Sequence, residues 1–128
     1  MECFFRKEDK QLTIKLNEDI DEYVAQKIRR KLDNEIERYM PKEIIFDFDN
    51  VSFMDSAGIG LIIGRYKLAN MLGGKVQVAN MTSPVRKIFE MSGMQRIITE
   101  KKCKTEPVQN VEKMQNRTGT KCMEVKYE

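Results

Sequence analysis

The sequence predicts an α/β fold, a mixed β-sheet with helices packed on it in the order ββαβαβαβ, followed by a short C-terminal helix. Three observations carry the prediction. Apolar residues alternate with polar ones near the N-terminus, which is the period of a strand, and recur every three or four residues from Asp21 onward, which is the period of a helix. After residue 43 short β-branched runs alternate with helix-length segments, and strand-helix-strand crossings of that length join parallel neighbours. The chain of 128 residues has the size of one domain with one core.

Taken in order, Cys3–Lys7 and Leu12–Leu16 read as a hairpin through the turn-prone Glu8-Asp9-Lys10. Val24, Ala25, Ile28, Leu32, Ile36 and Tyr39 then mark one face of a helix, with Arg29, Arg30, Asp33 and Glu37 opposite. Asp19 or Asp21 stands near its start, it ends before Pro41, and the run Lys27-Arg29-Arg30-Lys31 is its solvated side. Glu43–Phe48 is a strand. The proline-free, almost uniformly apolar stretch over 57–72 is a second helix, stopped by Gly73-Gly74. Lys75–Ala79 alternates as a strand, Thr82-Ser83-Pro84 opens a third helix through Val85, Ile88, Phe89 and Met91 that closes at Gly93, and Arg96–Thr99 gives a last short strand. Beyond Lys102 only Val108, Val111 and Met114 keep helical spacing, so a domain over 1–102 and a tail over 103–128, a short helix fraying from Asn116, are expected.

Composition narrows the function. The sequence has no histidine, which removes Ser-His-Asp triads, histidine bases and histidine-ligated metals. Cys3, Cys103 and Cys122 are odd in number and form no CxxC pair, so neither a disulfide framework nor a zinc site is expected. The net charge of +3 comes entirely from residues 101–128, and a neutral body with a mildly basic end is not the clustered stripe of a nucleic-acid binder. No apolar run is long enough to span a membrane and Met1-Glu2-Cys3-Phe4-Phe5-Arg6 lacks the order of a signal peptide; a cytoplasmic protein is expected, with neither membrane nor nucleic acid as partner.

The candidate site is Phe53-Met54-Asp55-Ser56-Ala57-Gly58-Ile59-Gly60, where a strand region meets the apolar helix. Ser56 is expected at the N-cap. A helix start carries unpaired N–H groups and a partial positive charge, so a phosphoryl group is tolerated there and Ser56 is a candidate phospho-acceptor. Most Asp-Ser pairs before a helix only finish it. Here, however, Gly58, Gly60 and Gly64 follow, each costing up to ~1 kcal/mol relative to alanine in a helix interior. They imply close approach, by the sheet beneath or a partner above. A small nucleotide-binding enzyme is the rival from another class, with Asp55 and Asp47 or Asp49 as metal ligands, but no GxxxxGK[ST] loop is present.

Two segments carry a family resemblance: Val51-Ser52-Phe53-Met54-Asp55-Ser56-Ala57-Gly58-Ile59-Gly60-Leu61-Ile62-Ile63-Gly64-Arg65-Tyr66-Lys67, and Ser83-Pro84-Val85-Arg86-Lys87-Ile88-Phe89-Glu90-Met91-Ser92-Gly93-Met94. Over about residues 4–100 the chain resembles the STAS domain of anti-sigma factor antagonists, most of all those acting on the anti-sigma F factor of sporulation. The resemblance implies a STAS-type sheet of four to five strands with helices mainly on one side. It implies a non-enzymatic protein whose unphosphorylated form binds an anti-sigma factor serine kinase and releases its sigma factor. Phosphorylation of Ser56 switches it off, and a PP2C-type serine phosphatase restores it. ATP and magnesium belong to the kinase, and the chain has no cofactor of its own. The partner surface implied is Asp21, Asp55, Ser56, Ala57, Gly58, Ile59 and Ile62. A general-stress sigma pathway, or a STAS subunit of another regulatory complex, is the alternative within the fold. Glu18 replaces the family's glycine before the first helix, Ala57 stands where many relatives have a second serine, and the tail from Cys103 has no clear counterpart.

A switch of this kind follows from charge alone. A phosphoryl group adds roughly −1.5 to −2 charges. An acidic partner group about 5 Å away would be repelled by roughly 3 kcal/mol per charge pair at an effective dielectric of 20, about a hundredfold in affinity.

Overall fold

The computed structural model describes residues 1–101. The hairpin consists of β1 (Glu2–Arg6) and β2 (Gln11–Lys15), paired antiparallel from Glu2↔Lys15 to Arg6↔Gln11. There follow α1 (Glu22–Tyr39), β3 (Glu43–Asp47), α2 (Ser56–Met71), β4 (Lys75–Ala79), α3 (Ser83–Met91), a single 3-10 turn (Met94–Arg96) and β5 (Thr99–Glu100). The strands lie side by side in chain order, and every pair after the hairpin is parallel. Each crossover steps to the adjacent strand in the same direction, so the right-handed rule carries the helices to one face. The expected mixed sheet with helices mainly on one side is what the chain forms.

The strand pattern explains the core. Leu12, Ile44 and Val76 share one register row and Ile14, Phe46 and Val78 another, and all six are at most 4% exposed. Against them lie Ile28, Leu32 and Ile36 from α1, Ile59 and Ile62 from α2, and Val85 and Phe89 from α3. Phe5 stacks on Tyr39 with ring centroids 4.5 Å apart, closing the core at the hairpin edge.

Helix ends follow local chemistry. Met40 takes a left-handed φ of 47° while its N–H donates to Ile36 O at 2.8 Å, and Pro41 prevents continuation. Gly73 turns the chain at φ 84°, and a Cβ on Gly74 would stand 2.6 Å from Pro41 O. That contact lets β4 begin against β3, with Lys75 N–H donating to Lys42 O at 3.1 Å.

One element departs from expectation. The strand expected over 96–99 is displaced, because Gly93 opens a 3-10 turn that buries Met94 and Ile98, each 1% exposed and four residues apart. Pairing with β4 is confined to Gln77↔Thr99 and Val78↔Glu100, extended by Lys101 N–H to Val78 O at 2.7 Å. The helix expected around Val108, Val111 and Met114 lies outside the described residues. Cys3 is a free thiol, its pKa pushed up to about 11, first by burial and then by the Glu35 charge. Among the described residues no helix is long and apolar enough to cross a membrane.

Candidate functional site

Two helix starts are brought together by one short parallel bridge. Ile20, just before α1, pairs with Met54, just before α2: Ile20 N–H donates to Phe53 O at 3.0 Å and Asp55 N–H to Ile20 O at 3.1 Å. Both bridging side chains point into the core, at 0% and 2% exposure. The next residue on each strand is an aspartate, and each caps its helix. Asp21 accepts from Val24 N–H at 2.9 Å and Asp55 from Ala57 N–H at 2.8 Å.

The cap of α2 is therefore Asp55, not Ser56 as the sequence suggested. An aspartate followed by a serine offers two capping residues in succession, and the extended backbone at Asp55 (φ −107°, ψ −167°) decides which one serves. Ser56 becomes the first helical residue and is exposed, with Asp21 exposed and Asp55 and Ala57 partly so. These four form the accessible part of the expected surface.

The other three do not face solvent. Ile59 and Ile62 are 7% and 0% exposed and belong to the core, and Gly58 is buried. A helix apolar all round gives no sequence signal for which side is covered, and here the side carrying these residues is. A Cβ on Gly58 would overlap the Met54 side chain and stand 3.2 Å from Ile20 Cγ2, so this glycine lets α2 settle onto the bridge. Gly60 and Gly64 have no such neighbour within 4 Å. They border a shallow groove of about 340 Å³ between α1 and α2, shared with Glu22, Gln26 and Arg29.

Arg65 lies beneath that groove at 8% exposure. Its Nε is 2.8 Å from Asp33 Oδ1 on α1, an ion pair without hydrogen-bond geometry that leaves Nε and Nη1 without hydrogen-bond partners. Burial pushes the guanidinium pKa down and the Asp33 charge opposes it, so the pair ties α1 to α2.

Two residues at the site were not singled out for it in the sequence. Asp19 Oδ1 accepts from Ser52 N–H at 2.9 Å and Phe53 N–H at 3.1 Å, across more than thirty residues, a reach that no local pattern encodes. Thr82, at the N-cap position of α3, makes no side-chain cap bond; its hydroxyl donates to Val51 O at 2.8 Å. Glu18 places Oε2 3.7 Å from Lys27 Nζ on α1. Asp47 Oδ1 accepts from Asp49 N–H at 2.9 Å and Asn80 Nδ2 at 3.1 Å, and Asp55 is engaged as a cap. Of the aspartates of the enzymatic rival, the carboxylates of Asp47 and Asp55 thus serve structural bonds, and among the described residues no group of three or more acidic or cysteine side chains could hold a metal ion.

The model of the STAS domain matches residues 5–113. The anti-sigma F factor antagonist of Paenibacillus polymyxa is 36% identical over 87 residues, 68% of this chain and 74% of that protein. The anti-sigma-B factor antagonist of Bacillus subtilis is 27% identical over 93 residues, 73% of this chain and 84% of that protein. Among solved structures, the anti-sigma factor antagonist SpoIIAA in its unphosphorylated form matches with a TM-score of 0.67 at 28% identity, covering 79% of this chain and 88% of the other. SpoIIAA of Bacillus in its phosphorylated form matches with a TM-score of 0.60 at 27% identity, over 79% and 91%.

Proposed function

This chain belongs to the STAS-domain family of anti-sigma factor antagonists, and on that premise we propose that it is a phosphorylation-controlled one, with Ser56 as the acceptor. The observation that carries the reading is the division of labour at the start of α2. Asp55 already caps the helix, so the exposed hydroxyl of Ser56 is not required to finish it. A phosphate there meets the positive end of the helix dipole, an effect of about 0.3–1 kcal/mol at an exposed site. The fold need not change for the surface charge to change.

In this reading the unphosphorylated chain binds an anti-sigma factor that is also a serine kinase, through Ser56, Ala57, Asp55 and Asp21, and frees the sigma factor. The kinase supplies ATP and magnesium, a PP2C-type phosphatase removes the phosphate, and the exchange takes place in the cytoplasm. Ala57 leaves Ser56 as the only hydroxyl in the first turn. Phosphorylation of the relative SpoIIAA supports such a switch, and the anti-sigma F antagonists, 36% and 31% identical, favour the sporulation pathway. The general-stress pathway is the second reading, favoured by the longer stretch matched in the anti-sigma-B antagonist.

The test is displacement. Added to a preformed complex of sigma factor and anti-sigma factor, the chain should release the sigma factor, and with ATP present release should decay as Ser56 is modified. Ser56→Ala should release it without decay. Failure of the unmodified chain to release either a sigma F or a sigma B factor would reject the reading, and the complex that responds identifies the pathway.

A further inference from the structure

We propose that Phe53 is a preformed aromatic anchor for the anti-sigma factor, and that Asp19 is the positioning residue that holds it out; the inference rests on the partner assigned above. Six large apolar side chains are exposed among the described residues. Met40, Met71, Met91 and Ile97 close the C-terminal ends of α1, α2, α3 and the 3-10 turn. Only Tyr23 and Phe53 stand at the end of the molecule that carries Ser56. Tyr23, on the first turn of α1, is 72% exposed, with Lys27 Nζ 5.3 Å from its ring centroid, and exposure alone does not single out either ring. Phe53, half exposed at 50%, is three residues before Ser56.

An isolated exposed phenylalanine is ordinary on a protein surface. What sets Phe53 apart is the fastening of its backbone. One carboxylate oxygen of Asp19 holds its N–H and that of Ser52, and its carbonyl accepts from Ile20 N–H at 3.0 Å. On one side Val51 is fully buried, with its carbonyl held by Thr82, and on the other Met54 is buried in the bridge. The chain from 51 to 55 is a strap fixed at every residue with one large apolar side chain left outward. Loops that flex lose conformational freedom on binding, and this one has little left to lose. A rigid aromatic beside the modified residue suits the centre of an interface, where such side chains dominate binding, and a phosphate three residues away would act on a contact already in place. The occupant implied is an apolar pocket on the anti-sigma factor, rimmed by groups that receive Ser56.

The test uses the full chain and the purified anti-sigma factor in its ADP form, so that no phosphate is transferred. Phe53→Ala should lower affinity about tenfold to a hundredfold with an unchanged melting temperature, and in phosphorylation assays should raise KM while leaving kcat within about twofold. Asp19→Ala should lower affinity and remove hydrogen-exchange protection from the Ser52 and Phe53 amides of the isolated chain. Asp19→Asn, whose amide oxygen can accept the same two bonds, should restore both. Unchanged binding by Phe53→Ala would overturn the anchor. Asp19→Asn as defective in binding as Asp19→Ala, with its amides still protected, would make Asp19 a charged contact and overturn its positioning role. Failure of the unmodified chain to bind would reject the assigned partner and the anchor with it, whereas the exchange measurement judges the Asp19 strap independently.

Discussion

The helices α1 and α2 are neighbours of similar length that start side by side, yet they are built on opposite plans. α1 buries one stripe, Val24, Ala25, Ile28, Leu32 and Ile36, bordered by the partly buried Asp33, Glu35 and Tyr39, and exposes its other residues. α2 buries Gly58, Ile59, Leu61, Ile62, Arg65 and Ala69, packs Ala57, Ile63, Tyr66 and Leu68 partly against the core beside them, and exposes Ser56 and Gly60 at its start and Lys67, Asn70 and Met71 towards its end. A helix held on so much of its surface is a rigid mount, and a residue at its exposed start can change charge without disturbing what lies below. A surface helix such as α1 contributes its capping end, Asp21, to the same place.

The largest expected effect separates core from interface on α2. Ile62→Ala should destabilise the protein by about 2–5 kcal/mol through the cavity it leaves, while the folded fraction binds partner normally. Weakened binding at full stability would return Ile62 to the partner surface and break the contrast. Next comes the tie between the helices. Asp33→Asn strips the partner from a buried guanidinium, but Asp33 is itself 34% exposed, so the loss should be about 1–3 kcal/mol by chemical denaturation, below that of a fully buried pair.

The glycines test the two sides of α2 against each other. Gly58→Ala meets the buried Met54 side chain and should cost about 1–3 kcal/mol. Gly60→Ala meets no atom within 4 Å and should stabilise by up to ~1 kcal/mol from helix propensity. Equal effects would erase the distinction between a covered and an open side.

The same contrast explains what could be read from residues alone. The periodicity of α1 is unbroken, so its span and its end before Pro41 were legible, while the cap stayed open between Asp19 and Asp21 until the Val24 N–H bond to Asp21 decided it. α2 was legible as a helix but not as a surface, because uniform apolarity hides the covered side, so nothing in the residues opposed the partner role that the resemblance implies for Ile59 and Ile62. The cap fell one residue early because aspartate and serine serve equally well and only backbone geometry chooses. In Arg96-Ile97-Ile98-Thr99 a β-branched run competes with the four-residue spacing of Met94 and Ile98, and burial of that pair won. Asp19 had no local signature at all, since its partners arrive only when the chain folds.

The smallest expected stability effect is at Asp21. Asn caps a helix as well as Asp, so Asp21→Asn should leave the melting temperature within about a degree, while loss of its charge weakens the complex with the anti-sigma factor by about 1–3 kcal/mol. Unchanged binding would reduce Asp21 to a cap and leave α1 without a part in the surface.

If the exposed first residue of α2 is the switch, the position at which the chain takes up phosphate reveals it. Incubated with the anti-sigma factor and ATP, the chain should acquire one phosphate, on Ser56, and lose its affinity for that partner about a hundredfold. Ser56→Ala should remain unmodified, bind throughout, and lose little stability because Asp55 retains the cap. Phosphate on Ser52, Ser83 or Ser92, or full binding by the Ser56-phosphorylated chain, would contradict the account.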